Sequence, residues 1–161
     1  MQNLSIVVRC FNRKHLIDDF LLKLRETLRN YEYGVVLVGG GDLDYENVVV
    51  TTEKDALFDG LRNSSGDLVC FIDVGLVGSL RFIPTMVGLI DEVDRDFDAA
   101  MTRKVKGNRL DGLKAKFSHT DFFENEFCLL KRNAVDAILS ENAFSPDFLE
   151  REGFRIAWYE Y

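Results

Sequence analysis

The sequence predicts an α/β fold, a three-layer α/β/α sandwich around a mostly parallel central sheet, built as one domain over residues 1–161. Three observations carry that prediction. Strand-like and helix-like periodicities take turns along the whole chain. The run Leu68-Val-Cys-Phe-Ile72 is continuously apolar between Gly66-Asp67 and Gly75, as in a strand buried on both faces. No repeat, low-complexity tract or linker interrupts the alternation.

Taken in order, residues 4–8 read as the first strand. From 15 to 30 the apolar positions Leu16, Ile17, Phe20, Leu21, Leu24 and Leu28 recur at helical spacing. Asp18 and Asp19 in the first turn and Arg29 in the last suit the helix dipole, and Asp19 with Lys23 is a favourable i,i+4 pair. Residues 35–38 form a second strand, closed by Gly39-Gly40-Gly41, and 48–50 a third. Thr52 with Asp55 has the form of a capping box opening a helix to about Asn63. After the strand at 68–72, Pro84 fits the first turn of a helix ending near 93, where a missing N–H has no partner to lose. A short strand is expected at 97–101, a loop or flap at 104–120, a strand at 127–130, and a helix from Asn133 to Leu139. Residues 148–152 form a last helix stopped by Gly153, before a strand at 154–159. Right-handed crossovers place the tips of the first, second and fourth strands on one edge.

With 161 residues, 47% of them apolar, the chain can bury roughly two-thirds of its unfolded surface. Its 20 basic against 27 acidic residues give a net charge of −7, and no segment concentrates lysine or arginine, which argues against a nucleic-acid partner. Apolar runs fall well short of the roughly 18 residues of a membrane span, and the first residues lack a signal-peptide pattern, so a cytoplasmic protein without a transmembrane segment is expected. Cys10, Cys70 and Cys128 show neither metal-ligand nor redox spacing and read as buried reduced thiols.

Asp73 is the residue with most to say about chemistry. It stands at the carboxyl end of an apolar strand, and ligands of open α/β sheets bind outside those ends. A turn-forming Asp that hydrogen-bonds its own backbone two residues on is the equal alternative. His15 and His119 have no Ser or Cys partner at hydrolase spacing. Gly39 to Gly41 are followed by no Lys-Ser/Thr, so a phosphate-loop motif is absent. Trp158, Tyr159 and Tyr161 read as an exposed carbohydrate platform or, with greater weight, as an edge strand packed on a neighbour or a homodimer seam.

Several of these pieces together carry a resemblance: strand one with Arg9-Cys-Phe-Asn12-Arg13, Gly41-Asp-Leu-Asp44 after the second strand, Ala56 to Gly60, Gly66-Asp67-Leu-Val-Cys-Phe-Ile-Asp73, and Glu152-Gly-Phe-Arg-Ile156. In order and spacing they resemble glycosyltransferase family 2. The resemblance implies the GT-A fold and transfer of a sugar from a nucleotide-diphosphate sugar to an acceptor hydroxyl, with inversion and with Mg²⁺ or Mn²⁺ bridging the diphosphate. On it, Arg9, Phe11, Asn12, Gly40 and Asp73 line the donor site. Asp73 matches the first acid of the family's Asp-x-Asp motif, and Asp42 and Asp44 are candidates to complete a metal site with it; solvated loop acids are the other reading of that pair. Asp147 is the nearest candidate for the catalytic base, with Glu141 as another, while alignment on Gly153 brings Phe144 closer to the expected position. As a residue after Pro146, Asp147 also suits the start of a helix.

The chain departs from the family at Val74 and Gly75, where a second metal-binding acid is expected, at Gly39 and Gly40 in place of an acidic pair, and at Leu57 in place of an arginine. Two other functions therefore stand beside glycosyl transfer: an inactive GT-A-fold module that binds a nucleotide, glycan or protein, and, less supported, a nucleotidyltransferase.

Overall fold

A computed structural model describes residues 2–91, 96–103, 123 and 126–161. The flap expected at 104–120, with His119, lies outside the described residues. Seven strands form one sheet: β1 (Leu4–Arg9), β2 (Tyr33–Gly39), β3 (Val48–Val50), β4 (Leu68–Asp73), β5 (Ala99–Arg103), β6 (Cys128–Lys131) and β7 (Ile156–Glu160). Their order is β3-β2-β1-β4-β6-β5-β7, and β6 is antiparallel to both β4 and β5 while the remaining pairings are parallel. The expected mostly parallel sandwich is what forms, with the tips of β1, β2 and β4 side by side.

Strand parity divides the core into two layers. Leu4, Ile6 and Val8 of β1, with Leu68, Cys70 and Ile72 of β4, face α1 (Ile17–Thr27) and α3 (Ile83–Asp91). Val7, Val69 and Phe71 face the other way, against α2 (Ala56–Arg62), α4 (Arg132–Glu141) and α5 (Pro146–Arg151). Each strand at the sheet centre is therefore apolar on both sides.

The boundaries differ from the sequence reading in instructive ways. A 3₁₀ turn, Lys14–Leu16, precedes α1. Thr52 does accept from the Asp55 N–H and donates to the Asp55 carboxylate, but this box closes a turn one step before α2. Asn133 lies inside α4, not at its cap: its side chain is drawn to Asp98 and to the next backbone N–H. The fifth strand begins at Ala99, after an Asp98 whose carboxylate is engaged by Asn133 and by the Arg155 N–H. Gly153 stops α5 with φ +88, the left-handed conformation expected of it.

Between β4 and α3 runs a 3₁₀ segment, Val74–Phe82, with a kink at Leu76. Together, Val74–Asp91 is long and apolar enough by composition to cross a membrane, a stretch that counting unbroken apolar runs overlooked. Its Val74, Leu80, Ile83, Met86, Val87 and Ile90 pack into the core on the α1 side. The aromatic tail is likewise engaged within the molecule: Trp158 packs against the α2 side of the core with the Arg103 guanidinium over its ring, and Tyr159 and Tyr161 meet Phe82. All three cysteines are free and buried.

Gly60 shows how tightly α2 sits on the sheet. A Cβ there would lie 2.5 Å from Val7 Cγ1 and 3.0 Å from Val38 Cγ2. Helix propensity alone favours Gly60→Ala by about 1 kcal/mol, but overpacking costs about 1–3 kcal/mol. The substitution is predicted to lower the urea midpoint, and a rise would show that α2 is free to move away from β1 and β2.

Candidate functional site

The carboxyl ends of β1, β2 and β4 lie side by side, at the position where the sequence reading places ligand binding. Arg9 and Asp73 are the last residues of their strands and stand opposite each other in the parallel register. Both lie on the sheet face of Val7 and Phe71, because side chains two apart share a face. After Arg9 the chain turns back sharply: the Arg13 N–H donates to the Cys10 carbonyl at 3.3 Å, and Asn12 takes a left-handed φ of 57, which asparagine tolerates better than most residues. That turn swings Arg13 over the end of β4.

Asp73 is consequently surrounded by donors. Arg9 Nε donates to its Oδ2 at 2.9 Å, Arg13 Nη1 to its Oδ1 at 2.9 Å, and the Gly75 N–H to Oδ1 at 2.8 Å. The last bond is the local turn weighed against a ligand role, and it caps the 3₁₀ segment. The Asp73 side chain is 5% exposed and that of Arg9 9%, whereas that of Arg13 is 43% exposed. One buried carboxylate against two guanidinium groups leaves the cluster with a net positive charge.

Nearby groups take their character from this cluster. Burial, and next the negative charge of Asp73, push the Cys10 thiol up to about 12. It stays protonated, donating to the Val8 carbonyl at 3.3 Å, and offers no nucleophile. Phe11 is half-buried against the α2 side of the core, and Asn12 is exposed. Gly39 is buried where a Cβ would meet Leu43 Cδ1 at 2.8 Å, while Gly40 is only partly covered. Leu57 is 4% exposed and inside the core, so α2 presents no cation from that position.

The carboxylates considered for a metal do not converge. Asp42 is exposed and pairs with Lys14 at 3.4 Å, joining the loops after β2 and β1, and Asp44 is exposed on the same loop. Among the described residues no group of three or more His, Cys, Asp and Glu side chains is placed to hold a metal ion. Mg²⁺ and Mn²⁺ bind where carboxylate charge is uncompensated, and the one buried carboxylate here, Asp73, is already matched by two guanidinium groups and the Gly75 N–H. As arranged, these residues do not fit a divalent ion.

Asp147 is exposed in the first turn of α5, whose N-cap is Ser145, its hydroxyl accepting from the Phe148 N–H at 2.9 Å. Three residues before it, Phe144 stacks on Phe123 with ring centroids 5.4 Å apart, and Phe123 meets Phe71 at 4.5 Å. An aromatic line thus joins the α4–α5 connection to the strand that ends in Asp73. Glu141 is exposed at the end of α4, and Phe144 is buried. Sequence reasoning passed over Arg13 and Lys14 as site residues. The available signal was the Arg-x-x-x-Arg spacing across a strand end opposite a lone Asp followed by Gly75.

No protein-family model matches the chain. Among curated proteins it is 26% identical to the prophage bactoprenol glucosyl transferase homolog of Escherichia coli (strain K12) and 28% identical to the bactoprenol glucosyl transferase of Shigella phage SfV, each over 98% of this chain and 62% of the relative. The chain therefore spans less than two thirds of the length of these relatives. Among solved structures it superposes on mannosyl-3-phosphoglycerate synthase from Rubrobacter xylanophilus with a TM-score of 0.66 at 14% identity, covering 99% of this chain and 65% of that one. On glucosyl-3-phosphoglycerate synthase from Mycobacterium tuberculosis, solved with Mn²⁺, uridine diphosphate and phosphoglyceric acid, the TM-score is 0.64 at 18% identity, covering 99% and 68%. The fold is that of the GT-A-type glycosyltransferases, and the resemblance read from the motifs extends over the chain.

Replacing Asp73 by Asn leaves Arg9 buried without its counter-charge, which costs about 3–5 kcal/mol in comparable buried pairs. Urea unfolding of Asp73→Asn is predicted to show a loss of that order. A solvated, ligand-ready carboxylate would instead give an unchanged or raised midpoint.

Proposed function

We propose that the chain is the donor-binding domain of a glycosyltransferase that moves a sugar, glucose by preference, from a nucleoside diphosphate to a bactoprenol-type polyprenyl acceptor. The observation that carries the reading is the similarity over 98% of the chain to bactoprenol glucosyl transferases. It is supported by the placement of Arg9, Phe11, Asn12, Gly40 and Asp73 around the ends of β1, β2 and β4, where α/β sheets take nucleotides. A polyprenyl acceptor suits a cytoplasmic domain working beside a membrane.

In this reading Phe11 offers its ring to the base, Asn12 reaches the nucleoside from its exposed turn, and Gly40 leaves room beside the end of β2. The acceptor oxygen attacks the anomeric carbon while the bond to the diphosphate breaks, and a base takes the acceptor proton. Asp147 is the residue proposed for that role. Its support is the exposed carboxylate in the first turn of α5. A divalent ion, as in the Mycobacterium tuberculosis structure, would supply charge for the leaving diphosphate. Since among the described residues no carboxylates gather for one, no step is assigned to it.

Incubating the purified chain with UDP-[¹⁴C]glucose and a polyprenol or its monophosphate in detergent is predicted to move label into the organic phase and release UDP. Asp147→Ala is expected to cut transfer about 100-fold or more while UDP affinity is kept. Turnover retained in that variant removes Asp147 from the mechanism. UDP binding without transfer from UDP-, GDP- or dTDP-sugars would favour the inactive binding module.

A further inference from the structure

We infer that the guanidinium group of Arg13 takes the place of a divalent cation at this sheet edge, so that the diphosphate of the donor is met by arginine and not by metal. The inference rests on the nucleotide-sugar reading and specifies how that site handles charge.

Gly75 carries the argument. A Cβ built on it would stand 2.2 Å from Arg13 Nη1 and 3.4 Å from Cζ, so the guanidinium fills the volume that any side chain at position 75 needs. Gly75 is not among the residues with positive φ, so the backbone there does not call for glycine. Arg13 does. A side chain at 75 would have to displace the Arg13 guanidinium from Asp73, and this chain keeps glycine there with the cation in place.

Charge points the same way. A metal-binding pair of carboxylates is a site of negative charge that a dication neutralises. Here Asp73 is held by Arg9 and Arg13, the sum is positive, and a free dication is repelled where a diphosphate is attracted. Asp73 thereby becomes a positioning residue that aims the two forks.

Donors remain to be used. Arg13 gives one N–H to Asp73 and is 43% exposed, leaving Nε and Nη2 without a partner among the described residues. Arg9 is more than nine-tenths buried and donates through Nε alone, so its two terminal amino groups also lack a partner among those residues. Planar guanidinium forks match phosphate oxygens, and such charge-assisted bonds are among the stronger ones available. Lys14, tied to Asp42, stands on the turn that follows Arg13.

Titration calorimetry with uridine diphosphate, once in EDTA and once in MnCl₂, tests the inference. The unmodified chain is expected to bind with the same affinity in both, and Arg13→Gln to weaken binding about tenfold or more in both, with Arg13→Lys intermediate. Arg13→Ala combined with Gly75→Asp opens the space for a second carboxylate and is expected to bind only with Mn²⁺. Binding by the unmodified chain that requires Mn²⁺, or Arg13→Gln binding as tightly as the parent, overturns the inference and leaves the glycosyltransferase reading standing. Arg13-dependent, metal-independent binding of uridine diphosphate with no sugar transfer in the assay above upholds the inference for a nucleotide site and removes only the transfer. Silence towards uridine diphosphate overturns the inference, whereas the glycosyltransferase reading then falls only if transfer is absent too.

Discussion

A carboxylate buried at the end of a sheet strand cannot stand alone, and the answer to that requirement shapes the surroundings of the strand ends. Asp73 lies at the end of β4 with its side chain 5% exposed, where an unpaired charge would be prohibitive. Arg9 meets it from the adjacent strand in register, Arg13 returns to it through the Asn12 turn, and the Gly75 N–H closes it from the following segment. Three chain segments converge on one side chain. The turn after β1, the start of the 3₁₀ segment and the sign of charge presented to a ligand all follow from that convergence.

Much of this was readable from residue types alone. The segment 4–8 reads as a strand and the apolar run 68–72 as a strand buried on both faces, and the crossover rule places their ends together, as β1 and β4 show. Once those strands are aligned at Leu4 and Leu68, Arg9 and Asp73 fall opposite each other by counting. What could not be read is the geometry of the connection. Whether Arg13 points to solvent or back over the sheet depends on the left-handed Asn12, and periodicity carries no information about a single αL residue. The same holds for the acids: Asp42 and Asp44 follow β2 by a few residues, yet their loop is drawn towards Lys14 and, through the Tyr45 hydroxyl, towards Asp18. Leu57 is a core residue because of the face of α2 it occupies, which a motif comparison does not weigh.

Fold and site chemistry are constrained by different physics, and the relatives illustrate it. At 14% and 18% identity the sheet and its layers superpose with TM-scores of 0.66 and 0.64, because parity and burial on both faces can be met by many apolar side chains. The crevice has no such freedom in the placement of charge. A change from acid to glycine at one position must be matched by what fills the space, and Arg13 beside Gly75 is such a match. The comparison with the curated relatives extends over 192 positions against the 161 residues of this chain, so they carry segments within the matched span that this chain lacks.

The claim at the base of this account is that Asp73 and Arg9 are energetically coupled at the sheet edge. A double-mutant cycle measured by urea unfolding, with Asp73→Asn, Arg9→Met and the pair combined, reads that coupling directly. The account predicts an interaction energy of about 1–3 kcal/mol, with the double variant more stable than the sum of the single losses implies. Additive losses, with no coupling between the two positions, would contradict it.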